Sequence, residues 1–154
     1  MLLEPKPDNS CFVCGGANTR GMHLAFEQDN DAKRIRGSFR LPSEYQGGEG
    51  FVHGGIIAML LDEVMAKVNR FAEDHSVTAK LSVEYLRPVP TAADLVVEGW
   101  ELERSGRDRL RQGEIRNAAG VLLARGTAHF VEISRERFRD SIASVNASKS
   151  DGTV

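Results

Sequence analysis

Cysteine is nearly absent from this sequence: two of 154 residues, Cys11 and Cys14. That is too few for a disulfide framework. There is no excess of charge of either sign. Lys and Arg total 20 against 22 Asp and Glu, a formal net charge of −2, which argues against a nucleic-acid binder working through a broad basic face. No apolar run approaches the roughly 20 residues of a membrane-spanning helix. The first ten residues carry Glu4, Lys6 and Asp8 where a secretory signal needs an unbroken apolar stretch. The expected location is cytoplasmic, with both thiols reduced and with neither nucleic acid nor membrane as partner. What is present is 41% hydrophobic residues on a chain of single-domain length, enough for a core without disulfides or a structural metal.

Residues 1–21, rich in Pro, Asn and Gly, read as an N-terminal arm. Met22 to Gln28 alternates apolar and polar as a strand does, and Ile35 to Leu41 returns after the turn residues Asp29-Asn30-Asp31. Pro42, Gly47, Gly48 and Gly50 make the next segment a loop. Ile56 to Phe71 is the one strong helical pattern, with Ile57, Leu61, Val64 and Val68 recurring at three and four. From about Val77 the period changes to two. Strands are predicted there, at Asp94 to Glu103, at Arg107 to Arg116 and at Val121 to Ile133, with hairpin turns between the last three. Residues 134–147 are charged and weakly helical, and 148–154 read as a tail. The domain is therefore placed at 22–134, with 135–154 as a C-terminal helix and tail. The order β-β-α-β-β-β-β predicts an α+β domain, an antiparallel sheet wrapped around one central helix. Such a sheet has unpaired edges, for which association is the usual remedy.

Two features can carry chemistry. His53-Gly54-Gly55 opens the helix, where the first amides lack intrahelical acceptors and the dipole is positive. The glycines either admit a ligand oxygen to those amides or merely allow a tight entry into the helix. Asp62 falls on the side of Gly55, Ala58 and Ala66, away from Glu63 and Lys67. There it is either an ordinary wetted carboxylate or a general base or nucleophile. Gly54 and Asp62 are eight residues apart, about 12 Å along a helix. One helix does not bring its own Asp62 to its own first amide. Two copies packed antiparallel do.

Cys11, Cys14 and His23 offer three potential metal ligands with no fourth nearby, so no metal is expected and the thiols are read as small packing groups. Arg104, Arg107, Arg109 and Arg111 cluster at one hairpin, as solvated edge charges or as contacts for phosphates.

The segments Cys11-Phe12-Val13-Cys14-Gly15, Gly21-Met22-His23-Leu24, Tyr45-Gln46-Gly47-Gly48-Glu49-Gly50-Phe51-Val52-His53-Gly54-Gly55, the run from there to Asp62-Glu63, and Thr78 to Val89 resemble the hotdog-fold acyl-CoA thioesterases. Within the 4-hydroxybenzoyl-CoA thioesterase superfamily the likeness is to the phenylacetate-pathway type, over about residues 11–133. The resemblance implies hydrolysis of an acyl-CoA thioester to the acid and coenzyme A, without cofactor, by a homodimer or a homotetramer built as a dimer of dimers. It implies that the Gly54 amide polarises the thioester carbonyl and that Asp62 of the partner chain activates water or attacks. Thr78 would help orient the carboxylate or the water, His53 would support the loop near the thioester, and Gln46 and Gly55 would contact substrate. Strand alternation alone puts Thr78 with Lys80 and Ser82, opposite Leu81 and Val83. Two other readings fit the same fold: a hotdog protein that binds acyl-CoA without turnover, and a hydratase or dehydratase.

Overall fold

The computed structural model describes residues 1–72 and 75–150. Ile57, Leu60, Leu61, Val64 and Met65 form one continuous buried stripe on helix α1 (Gly54–Ala66), which runs on into a 3-10 segment, Lys67–Phe71. The stripe lies on a single antiparallel sheet. Its strands are β1 (Leu2–Leu3), β2 (Phe26–Asp29), β3 (Arg34–Arg40), β4 (Ser76–Tyr85), β5 (Asp94–Ser105), β6 (Asp108–Asn117) and β7 (Leu122–Glu132), in the order β1-β2-β3-β5-β6-β7-β4. The core is the space between, filled by the helix stripe with Phe26, Ile35, Leu95, Val97, Ile115, Ala124, Ala128 and Phe130, all essentially inaccessible to water. The expected helix and six strands are found, but the first strand, expected from Met22, begins only at Phe26. The arm adds a seventh, because Leu2 and Leu3 pair with Glu27 and Phe26. A second helix, α2 (Arg135–Ser150), takes in the start of the expected tail, and residues 151–154 lie outside the described residues.

The helix can lie close to the sheet because of three glycines. Gly99, Gly113 and Gly126 stand directly opposite one another on β5, β6 and β7. A Cβ at Gly99 would stand 2.9 Å from the carbonyl carbon and oxygen of Val64. At Gly113 and Gly126 it would meet the Leu61 side chain at 3.2 Å. Together the three hydrogens make a transverse trough into which the Leu61–Met65 turn settles.

The opposite face of the sheet is charged. Glu98 pairs with Arg34 and Arg36, and Glu114 with Arg116 and Arg125. Burial pushes the Glu114 carboxyl up, but hydrogen bonds and charge from Arg116 and Arg125 outweigh this and hold it below the usual carboxylate range. A face of paired charges needs no apolar cover.

The trough makes a direct prediction. Gly99→Ala forces a Cβ against helix backbone that has nowhere to move, and overpacking of this kind costs about 1–3 kcal/mol. Gly48→Ala, in open space, should stay within about 0.5 kcal/mol of the parent. Urea denaturation of both variants checks this. Equal stabilities would show that the helix does not depend on the trough.

Candidate active site

The position of Thr78 is decided by a bulge. Thr78 pairs with Phe130 and Lys80 with His129, so Ala79 is an extra residue in β4. The inserted residue flips the alternation. Thr78 therefore shares the helix-facing side with Leu81, Val83 and Tyr85, and the expected parity, which put it with Lys80 and Ser82, does not hold. The Thr78 hydroxyl donates to Asp62 Oδ1 at 2.7 Å, the length of a charge-assisted bond. Asp62 is half-buried and Thr78 exposed, and among the described residues the Asp62 carboxylate accepts no other hydrogen bond. At the other end of the same strand face, the Tyr85 hydroxyl donates to the Gly54 carbonyl at 3.0 Å. Tyr85 had no assigned role in the sequence. An aromatic residue on the Thr78 face would have marked it, had the bulge been visible.

The helix start is built by His53. As N-cap, its Nδ1 accepts from the Gly55 amide at 2.9 Å, and its carbonyl accepts from the amides of Ile56 and Ile57. A neutral imidazole that accepts at Nδ1 carries its proton on Nε2. The Gly54 amide has no acceptor among the described residues. It is the donor left over at a positive helix end. The Gly55 amide, by contrast, is spent on His53, so Gly55 contributes space rather than a donor.

The loop before His53 is held by its own backbone. His53 N donates to Tyr45 O at 2.9 Å, Val52 N to Val89 O at 2.8 Å, and Gly47 N to Phe51 O at 2.9 Å. A Cβ at Gly47 would lie 3.2 Å from His53 Cα, so the loop folds tightly over the cap. Gln46 is exposed in this loop, and its Oε1 accepts from the Gly50 amide at 3.2 Å. The structure thus gathers His53, Gly54, Gly55 and Tyr85 in one group, with Gln46 in the adjoining loop, and Asp62 with Thr78 in another. The two groups are separated by eight residues of α1, about 12 Å.

The arginine cluster is not one surface. Arg109 and Arg111 are buried in the core, contrary to the expectation of solvated edge charges. Arg111 donates to the carbonyl of Met65 at 3.0 Å, approaches Glu101 at 3.4 Å, and stacks 4.6 Å from the centre of the Phe130 ring. A guanidinium there meets the negative end of α1. Arg109 pairs with Glu132 at 2.6 Å, Arg104 with Glu101 at 2.8 Å, and Arg107 donates to the Glu132 carbonyl. The thiols are not plain packing groups either. Cys11 Sγ lies 3.8 Å from Glu63 Oε2, while Glu63 Oε1 holds Lys67 at 3.1 Å. Burial, reinforced by a hydrogen bond to Glu63, pushes the Cys14 thiol up to about 12.

One long helix on a seven-stranded antiparallel sheet, with a glycine pair and a free amide at the helix start, defines a hotdog protein. Residues 49–123 match the family model described as the thioesterase superfamily, and the chain is similar to mammalian acyl-coenzyme A thioesterases. Acyl-coenzyme A thioesterase THEM4 of Rattus norvegicus is 30% identical over 118 residues, covering 76% of this chain and 51% of the relative. The chain thus spans about half the length of the curated relatives it matches. Among solved structures, the thioesterase superfamily protein RHA08564 is 34% identical with a TM-score of 0.75, over 79% of this chain and 60% of that one. The protein smu.793 from Streptococcus mutans UA159, solved bound to acetyl-CoA, shares the fold at 19% identity and a TM-score of 0.63, over 66% of this chain and 82% of that one. The PaaI protein of the E. coli phenylacetic acid degradation operon is a distant structural neighbour, 17% identical with a TM-score of 0.63, over 66% of this chain and 74% of that one.

The cap can be tested apart from any reaction. His53→Ala leaves the Gly55 amide unpaired and should cost about 1 kcal/mol, as lost N-caps do. His53→Asn, a good cap with an acceptor of similar reach, should recover most of it. Thermal denaturation of the two variants decides. An unchanged Tm in His53→Ala would remove the cap from the account.

Proposed function

We propose that the protein is an acyl-CoA thioesterase whose active sites form between two copies of the chain. The observation that carries this is the free Gly54 amide at the positive end of the same helix that holds the Asp62–Thr78 pair. The thioester carbonyl accepts from the Gly54 amide, which stabilises the charge that grows on its oxygen. Asp62 of the second copy, held by its own Thr78, takes a proton from a water that adds to the carbonyl carbon, or adds to it directly. Collapse of the tetrahedral intermediate breaks the carbon–sulfur bond, and coenzyme A leaves as the thiol once the proton reaches sulfur. On the direct route a water then hydrolyses the acyl-enzyme anhydride and restores Asp62.

Strand β4 is one of the sheet's two edge strands, and it carries both Thr78 and Tyr85. Pairing of two such edges sets the two α1 helices antiparallel through Gly55, Ala58, Asp62 and Ala66. A homodimer is then the smallest complete assembly. A protein that only binds acyl-CoA has no use for a hydrogen-bonded carboxylate beside the thioester. Against a hydratase, His53 Nδ1 is already committed to the Gly55 amide.

Asp62→Asn keeps the shape and the Thr78 hydrogen bond but removes the base. Its kcat should fall by roughly 100-fold or more with little change in KM. Thiol release over a panel of acyl-CoAs measures this, with arylacetyl thioesters included because of the resemblance to the phenylacetate-pathway type. A fully active, folded Asp62→Asn protein would sink the assignment.

The shared site has its own test. Gly54→Pro removes the amide at the first helical position, where proline is tolerated. A Cβ there meets Tyr85 only at ordinary contact distance, 3.5 Å. Neither Gly54→Pro nor Asp62→Asn should turn over alone. Co-refolded in equal amounts, they pair randomly, and about half the dimers are mixed. Each mixed dimer has one intact site of two, so about a quarter of parental activity should return. No recovery, with mixed dimers demonstrated by a tag, rejects a site shared between chains.

A further inference from the structure

The arm meets α1 at a cluster that the proposed reaction does not use. Cys11 Sγ, Cys14 Sγ and a carboxylate oxygen of Glu63 all lie within 4.8 Å of one another, and each residue is partly buried. The third group expected beside the thiols, His23, is not among them. Glu63 takes its place from 40 residues further along the chain, which no local spacing announces.

The geometry suits a tetrahedral ion. Zinc binds sulfur at about 2.3 Å and carboxylate oxygen at about 2.1 Å, so the two atoms stand about 3.6 Å apart. Cys11 Sγ and Glu63 Oε2 are 3.8 Å apart. The Cys-x-x-Cys turn is fixed by Gly15. Its amide donates to the Cys11 carbonyl at 2.9 Å, and a Cβ there would lie 2.4 Å from Cys11 N, so only glycine lets the chain fold back on the first cysteine.

The surroundings suit it as well. Lys67 holds the other oxygen of Glu63 at 3.1 Å, and both side chains are about 15% exposed. The Lys67 ammonium is itself seated 4.9 Å from the centre of the Phe26 ring. Such an outer partner fixes which carboxylate oxygen faces the thiols. Binding of an ion displaces the thiol protons, and two thiolates, one carboxylate and one ammonium then sum to −2, which a divalent ion neutralises. Sulfur ligands select a borderline-soft ion over magnesium or calcium.

We propose that Cys11, Cys14 and Glu63 bind one zinc-class divalent ion, with a water as fourth ligand, fastening the N-terminal arm to α1 one residue beyond Asp62.

The full chain, treated with EDTA and kept reduced, is titrated with Co2+ as a spectroscopic stand-in for Zn2+. The site requires a thiolate-to-cobalt charge-transfer band that saturates at one equivalent, is abolished by Zn2+ and is unaffected by Mg2+. Zn2+ should also raise the Tm by several degrees. Cys14→Ser should lose most of the band, and Glu63→Gln should keep it while binding at least about tenfold more weakly. If Cys14→Ser does not fold, the parent titration and Glu63→Gln decide. No band in folded protein with both thiols reduced overturns the site. Equal affinity in Glu63→Gln overturns Glu63 as a ligand and with it the three-residue site.

Discussion

Everything in this molecule depends on how closely α1 approaches the sheet, and three hydrogen atoms set that distance. With Gly99, Gly113 and Gly126 in one row, the Leu61–Met65 turn drops onto strand backbone instead of side chains. The helix stripe then reaches Val97, Ile115 and Ala128, and the other side of the helix comes level with β4. That level is what puts Asp62 within 2.7 Å of the Thr78 hydroxyl and Gly54 within 3.0 Å of the Tyr85 hydroxyl. Lifting the helix by the thickness of a methyl group would break both contacts together.

The fold was largely legible in the sequence because its signals are local. The apolar period of α1, the alternation in the long strands and the glycine-rich loop before His53 each lie within one window of chain. The site was half legible. His53-Gly54-Gly55 and Asp62 announce themselves by residue type and spacing. Thr78 was implied by the resemblance while strand alternation spoke against it, because a bulge at Ala79 is a property of pairing with β7 and leaves no mark on β4 alone. Arg109 and Arg111 misled for a related reason. Their charge and their place at a hairpin suggested solvated edge positions or phosphate contacts. Arg111 is buried because a helix carbonyl, a carboxylate and an aromatic ring together meet it in the core. The glycine row and the contact of Glu63 with the thiols are equally non-local.

The helix start shows how a single amide is selected. Several amides crowd the positive end of α1, yet His53 takes the Gly55 amide with its ring and those of Ile56 and Ile57 with its carbonyl. Gly54 alone remains. The histidine thus does its work by subtraction, and the loop from Gln46 to Val52 serves to hold it there.

Arg111 has a mechanical consequence. By gripping the Met65 carbonyl from inside the core, it anchors one end of α1 to β6, while the glycine trough blocks sideways travel in the middle. The helix is thereby seated on the sheet at its middle and held at one end. In the proposed reaction, acyl groups of different girth are met instead by exposed side chains around the helix start, among them Gln46 and Phe51 in the loop before His53. Variation in what the proposed enzyme accepts is to be sought in those side chains, which can change while the backbone hydrogen bonds of the loop stay in place.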